Sequence, residues 1–187
     1  MNKKTVALTN KQYHEIISTI RQGFSGFKPN DRIATALVLE ANLGIRVSDI
    51  VQLRLKDIVR DGNRWRLNIK EQKTQKTRDF TVHEDLYQYI FNYAMQNNLT
   101  PNDKLIDITE RAVQKQLKKV CDYLGFEGIG THSFRKMYAT KLYEENNYNI
   151  MLVQELLQHS SPNITQRYIG LRREEVEKAM KNVLDLI

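Results

Sequence analysis

Cysteine is almost absent from the 187 residues: Cys121 is the only one. One thiol excludes an internal disulfide framework and a cysteine-rich zinc site, and it suits a reducing compartment. Proline is scarce too, and Pro29, Pro101 and Pro162 each stand where a turn or helix start is expected. No stretch approaches the roughly 18 consecutive apolar residues of a membrane-spanning helix, and the N-terminal MNKKTVALTNKQ has no apolar signal region. These absences predict a soluble, cytoplasmic protein with no membrane partner. No internal repeat or low-complexity run is visible. Acidic residues are in deficit: 29 Lys and Arg against 22 Asp and Glu leave a net charge of +7. Such a surplus favours a polyanionic partner, either nucleic acid or an anionic surface. Apolar residues are plentiful at 41%, enough for a buried core. The length suits one substantial domain or two small ones, and no convincing boundary appears in residues 1–187.

The hydrophobic pattern is helical at both ends and changes period in the middle. Thr9 reads as a cap before Tyr13, Ile16, Ile17 and Ile20, which share one helical face. The segment Gly23 to Asn30 ends that helix, and Asn30 or Asp31 caps a second with Ile33, Leu37 and Val38 inward. Gly44 breaks it, and Ser48 is placed at the cap of a short helix containing Asp49, Ile50 and Leu53. Asp57 to Arg60, Trp65 to Ile69 and Arg78 to Val82 read as three short strands, the first two joined through Asp61-Gly62-Asn63. Glu71 to Thr77 forms a polar, basic turn between the second and third. Helices follow around Leu86, Ile90 and Tyr93; around Val113, Leu117, Val120 and Leu124, ended by Gly125; around Phe134, Met137, Tyr138 and Leu142; from Ile150 to Leu157; and from Val176 to Leu186. The predicted fold is α+β, mainly α-helical, with a small three-stranded antiparallel sheet.

Four segments concentrate groups suited to phosphate chemistry, which needs a nucleophile, fixed cations on the non-bridging oxygens and a proton donor for the leaving oxygen. In Gly44-Ile45-Arg46-Val47-Ser48-Asp49 an arginine stands in a glycine turn before a helix, with an acid three residues on. Arginine fits because its planar fork matches two phosphate oxygens and stays charged. In His132-Ser133-Phe134-Arg135 the i, i+3 spacing puts His132 and Arg135 on one helical face. His159 ends an apolar helix just before Ser160-Ser161-Pro162, and Tyr168 follows it by nine residues. Taken singly, each has an ordinary reading. These are a surface arginine beside a capping acid, a solvated polar face, a histidine favourable at a helix C-terminus, and a packing tyrosine among nine. No metal site is expected from these spacings.

Their order, however, resembles the tyrosine recombinase (phage integrase) family. GIRVSDIVQL is similar to that family's first arginine box, usually GLR-x-SEL, and THSFRKMYAT to its His-x-Leu-Arg box. LLQHSSPNITQRY resembles its LGHSS…T…Y box with the histidine-to-tyrosine distance kept, and QKTQKTRDFTV its lysine-bearing strand–turn–strand. The resemblance runs from about Leu8 to about Leu186. It implies a site-specific recombinase or integrase that cleaves and rejoins DNA through a 3′-phosphotyrosyl bond to Tyr168, without metal, ATP or other cofactor. In that scheme Arg46 and Arg135 clamp the scissile phosphate. His132 and His159 bond its oxygens and assist proton transfer. Lys73 is the general acid, with Lys76 as the alternative in the same turn, and Asp49 orients the site. Lys76, Lys115, Lys118 and Lys119 are candidates for DNA-backbone contacts, and the three lysines from 115 to 119 also read as a solvated helix face. The implied partners are double-stranded DNA carrying recombination sites, a homotetramer assembled on it, and accessory DNA-bending proteins. The implied origin is a bacterium, phage or mobile element. The stripe Val176, Ala179, Met180, Val183, Leu184 and Ile187 forms an amphipathic helix that packs on a neighbouring subunit, as in the family, or on its own domain.

The match departs from the family pattern in three places. Gln158 replaces the usual glycine before the histidine, and Phe134 replaces leucine in the second box. The pattern begins near residue 8, so the family's N-terminal core-binding domain is absent from residues 1–187, which read as a single catalytic domain, a fragment or a naturally short recombinase. Two other functions fit the same boxes. One is a DNA-binding regulator that keeps the fold without strand exchange. The other is a type IB topoisomerase-like nicking and closing enzyme.

Overall fold

The computed structural model describes residues 5–159 and 161–169. The expected C-terminal helix from Val176 to Leu186 lies outside the described residues. Two compact units form along the chain, residues 1–138 and residues 139–187.

The first unit opens with α1 (Asn10–Gln22). The Thr9 hydroxyl accepts from the Gln12 N–H at 3.2 Å, and the Gln12 side chain accepts from the Thr9 N–H at 3.0 Å, a capping box that satisfies two exposed donors. Ile16, Ile17 and Ile20 are buried on its inner face. The Asn30 side chain, accepting from the Ile33 N–H at 3.1 Å, starts α2 (Asp31–Leu43). This helix is buried nearly all round and packs on α1 and on α5 (Glu110–Leu124). Ile33, Leu37, Leu39 and Leu43 are each almost wholly buried, and such a side chain contributes about 1.5–3 kcal/mol. α5 adds Val113, Leu117 and Val120 to the same core, and α6 (Thr131–Glu145) adds Phe134 and Met137.

Gly44 ends α2 in the left-handed region, at φ 62° and ψ 15°. A Cβ at this position would stand 2.3 Å from the Tyr138 ring. The sequence places Ser48 at the cap of α3 (Val47–Ile50); the structure gives that position to Arg46, which makes no side-chain cap bond. The Arg46 carbonyl already accepts from the Asp49 and Ile50 N–H groups, at 2.9 and 3.0 Å. The helix therefore begins before Ser48, which sits inside it.

The sheet is β1 (Ile58–Asp61), β2 (Arg64–Lys70) and β3 (Thr77–Val82), antiparallel in that order. Asp61 pairs with Arg64, leaving Gly62-Asn63 as a two-residue loop with Gly62 at φ 60°. Asp57, expected to open β1, instead closes a 3-10 turn (Leu55–Asp57) by accepting from the Arg54 N–H at 2.8 Å. Register puts Ile58, Leu67 and Phe80 across from one another, and Trp65 beside Val82. Arg78 shares this face, pairs with Ile69 and is buried, its guanidinium 5.2 Å from the Phe80 ring centre. α4 (Glu84–Gln96) follows the sheet, with Ile90, Tyr93 and Ala94 inward.

In the second unit α7 (Ile150–Leu157) packs on α8 (Pro162–Ile169). The Asn149 side chain caps α7 by accepting from the Met151 and Leu152 N–H groups, both at 3.1 Å. Val153, Leu157 and Thr165 are buried. No helix among the described residues is long and apolar enough to cross a membrane.

Gly44→Ala should be destabilising through two independent causes, a left-handed backbone and a methyl driven into the Tyr138 ring. Together they amount to about 2–5 kcal/mol. A urea or thermal melt showing less than about 1 kcal/mol of loss would mean that α2 can end without this glycine.

Candidate active site

Arg46 stands between the end of α2 and the start of α3, its main chain extended at φ −74° and ψ 151°. The buried Ile45 and Val47 on either side fix the backbone and turn the arginine outward. Its side chain is 19% exposed, and Nη1 donates to Glu71 Oε2 at 2.6 Å. α3 is only four residues long, so helix-start amides add little to the attraction for an anion. The guanidinium supplies it.

Glu71 closes the strand end opposite. It is buried, and Oε2 also accepts from the Thr74 hydroxyl at 2.5 Å. Oε1 lies 3.7 Å from Arg78 Nε. Burial alone would raise its pKa, but the Thr74 hydroxyl and the Arg46 and Arg78 charges hold it below the ordinary carboxylate value. Asp49, also buried, accepts from the Gln72 N–H at 2.8 Å through Oδ1. Burial raises its pKa against that hydrogen bond. The turn between β2 and β3 is thus tied at two successive residues to the segment from Arg46 to Asp49. Its closure is local: the Glu71 N–H donates to the Lys76 carbonyl at 2.9 Å and the Gln75 N–H to the Glu71 carbonyl at 3.0 Å.

A cavity of about 300 Å³ opens beside this turn, lined by Arg46, Val47, Ser48, Gln72, Lys73, Glu110 and His132. Four sequence-remote segments therefore meet at one depression, and three of their side chains carry or can carry positive charge. Lys73 lines the cavity; Lys76, at the other end of the turn, is exposed and is not among the lining residues. His132 comes from the first turn of α6 and is exposed. Its pKa is lowered by desolvation and then by the Arg135 and Arg46 charges. Arg135, three residues on, is buried. Its charge is felt by Glu40, Asp49, Arg78 and His132.

Three members of this group carried no signal in the boxes. Arg78 is pushed down to about 10, first by burial and then by the Arg135 charge. Its mark in the sequence is a cation in step with Phe80 and Val82 on a strand. Glu71 reads as an ordinary turn residue. Glu40 lies in the buried middle of α2, and burial raises its pKa well above the usual value despite Arg135. A glutamate directly after the apolar run Ala36–Leu39 was its one visible trace.

The second unit holds the other two residues of interest. His159 Nδ1 is 3.0 Å from the Thr165 hydroxyl, and its N–H donates to the Gln154 carbonyl at 3.0 Å. The His159 and Tyr168 rings meet edge to face with centres 5.0 Å apart. Tyr168 is half-buried. Gln158, before the histidine, is left-handed at φ 52° and ψ 39°. That is the backbone state glycine occupies at least cost, so the glutamine holds a glycine conformation. On α5, Lys115, Lys118 and Lys119 are all exposed, and Lys118 is paired with Asp122 at 2.8 Å. Among the described residues no group of three or more His, Cys, Asp or Glu side chains is placed to hold a metal ion.

A model of the phage integrase family matches residues 7–175. The chain is 31% identical over 159 residues to the probable integrase/recombinase YoeC of Bacillus subtilis, covering 81% of this chain and 84% of that one. It is 24% identical over 188 residues to tyrosine recombinase XerH of Helicobacter pylori, covering 95% of this chain and 52% of XerH. Among solved structures, XerH bound to palindromic difH substrate in a post-cleavage complex superposes with a TM-score of 0.73 at 22% identity, over 96% of this chain and 53% of that one. The likeness shows the fold, and the chain spans about half the length of XerH.

The His132 shift predicts a pH effect. A base whose pKa is lowered by folding binds its proton less well in the folded chain than in the unfolded one. Folding then loses free energy as pH falls through the unfolded value of about 6.5. The urea midpoint of the unaltered protein should drop more from about pH 7 to about pH 5 than that of His132→Gln. Parallel curves would show that the imidazole is not electrostatically strained.

Proposed function

The chain belongs to the phage integrase family, and from that membership we propose that it is a site-specific DNA recombinase. Residues 1–187 act in this reading as one catalytic domain. The observation that carries it is the cavity where Arg46, Lys73 and His132 converge from three segments. A dense cationic cluster with buried carboxylate support is suited to a phosphodiester, whose charge is otherwise costly to approach.

In the reaction Tyr168 attacks the scissile phosphorus, forming a 3′-phosphotyrosyl bond as the bond to the 5′ oxygen breaks. Arg46 and Arg135 take the developing charge on the non-bridging oxygens. His132 and His159 bond the same oxygens, and one of the two takes the single proton released by the phenol. Lys73 gives its proton to the leaving 5′ oxygen. The lowered pKa of His132 leaves its imidazole neutral near pH 7, the form able to take up a proton. The free 5′ hydroxyl of a partner strand then reverses the attack. The bond energy stays in the covalent link, so the scheme uses neither metal nor ATP. Each preorganised donor is worth about 100- to 1,000-fold in rate.

The proposed partner is double-stranded DNA carrying recombination sites, on which four copies assemble, assisted by DNA-bending proteins. The C-terminal segment is the proposed link between copies. The exposed Lys115, Lys118 and Lys119 supply salt-sensitive backbone contacts. Of the other two functions, a regulator without strand exchange would have no use for Lys73 beside Arg46. A nicking and closing enzyme shares the chemistry and differs in needing no specific site.

The test is covalent trapping on nicked duplexes that tile the DNA flanking the gene. The expected result is a protein–DNA adduct formed equally well in EDTA and lost in Tyr168→Phe, which still binds. Arg46→Ala should slow adduct formation about 100- to 1,000-fold. An adduct that persists in Tyr168→Phe would refute the assignment of the nucleophile, and relaxation of any supercoiled DNA would favour the topoisomerase reading.

A further inference from the structure

We propose that Glu71 is a positioning residue which, through Thr74, sets Lys73 against Arg46 for strand cleavage; this rests on the recombinase reading above.

The geometry divides the work of one carboxylate. Oε1 lies 3.7 Å from Arg78 Nε, close enough for the charges to attract. Oε2 accepts at once from Arg46 Nη1 at 2.6 Å and from the Thr74 hydroxyl at 2.5 Å. Among the described residues, this is the one hydrogen bond made by the Arg46 side chain. Lys73 stands between two residues that are both anchored. Before it, the Gln72 N–H is held by Asp49 at 2.8 Å. After it, Thr74 is held by Glu71. The Lys73 side chain itself is exposed, with no hydrogen bond among the described residues. Its placement at the cavity is therefore a property of the backbone it rides on. Asp49 fixes one side of that backbone, and only the Thr74 hydroxyl ties the other side to the arginine.

A shared oxygen has a mechanical consequence. Any shift of Arg46 toward a bound phosphate moves the same acceptor that holds Thr74. The lysine and the arginine are thereby registered on one atom. An error of about 1 Å in such a register costs on the order of 100-fold in rate. Thr74 is exposed, so its alteration can interrupt the link without disturbing the core.

A substrate with sulfur in place of the bridging 5′ oxygen separates this role from a general structural one. The Tyr168 oxygen–phosphorus bond forms and the phosphorus–sulfur bond breaks, and the thiolate departs without a proton. A defect that arises at Lys73 then disappears, whereas one that arises at Arg46 or in folding remains. Nicked duplexes from the DNA flanking the gene are compared with oxygen or sulfur at the scissile position. On oxygen, Thr74→Ala and Glu71→Gln are expected to form adduct about 10- to 100-fold more slowly than the unaltered protein, Lys73→Ala about 100- to 1,000-fold more slowly, and Thr74→Ser to recover most of the rate. On sulfur, Lys73→Ala and Thr74→Ala are expected to approach the unaltered rate, and Glu71→Gln to recover only in part, because it also loosens Arg46. Thr74→Ala at full rate on oxygen, Thr74→Ala equally slow on both duplexes, or Glu71→Gln gaining nothing on sulfur overturns the assignment alone. No adduct from the unaltered protein on either duplex overturns the recombinase reading and this assignment with it.

Discussion

Arg46 and the turn between β2 and β3 are held together by the carboxylate of Glu71. A buried ion pair of this kind is costly to form, since both charges leave water. It persists only where further hydrogen bonds satisfy the remaining lone pairs. Here the Thr74 hydroxyl supplies a second hydrogen bond to Oε2, while Oε1, without a hydrogen bond of its own among the described residues, lies 3.7 Å from Arg78 Nε and is met by its charge alone. Asp49 repeats the device one residue along, trading a buried carboxylate for the Gln72 N–H. Without these two acids the turn would be a basic loop with no reason to lie against α3. With them, Arg46 and Lys73 line one cavity.

The first unit carries an unusual balance of charge in its interior. Arg78 and Arg135 are buried together with Glu40, Asp49 and Glu71. Burial lowers Arg78 and raises Glu40; the Arg135 charge opposes the rise at Glu40, and the Thr74 hydroxyl with the Arg46 and Arg78 charges holds Glu71 down. Mutual compensation of this kind lets cations sit in a low-dielectric setting, where each interacts more strongly with an anion than it would in water. Arg46, held on Glu71, thus presents a fixed charge to the cavity. That is the physical basis of preorganisation.

Much of the fold was legible residue by residue. The capping signals at Thr9 and Asn30, the stops at Gly44 and Gly125, and the hairpin at Gly62-Asn63 all act where the sequence places them. α7 coincides with the expected Ile150 to Leu157. Misreadings were confined to boundaries. Ser48 is a good cap residue, but the turn after Gly44 had already presented the Arg46 carbonyl. Asp57 is a good strand edge, but its carboxylate found the Arg54 N–H first. In both places an equally local alternative won, and propensity alone does not rank two such options.

The sequence by itself determined the elements, the helix stops and the set of chemically able side chains, because caps, turns and periodicity are decided within a few residues of chain. Only the tertiary structure decided which of those side chains meet. Arg46 and Glu71 are 25 residues apart, and nothing in either segment encodes the distance between them. Lys73 and Lys76 are alike in composition and neighbourhood, and the two anchors on Gln72 and Thr74 put the first of them on the cavity wall. Arg78 and Glu40 became part of the group only through burial, which depends on every element packed around them.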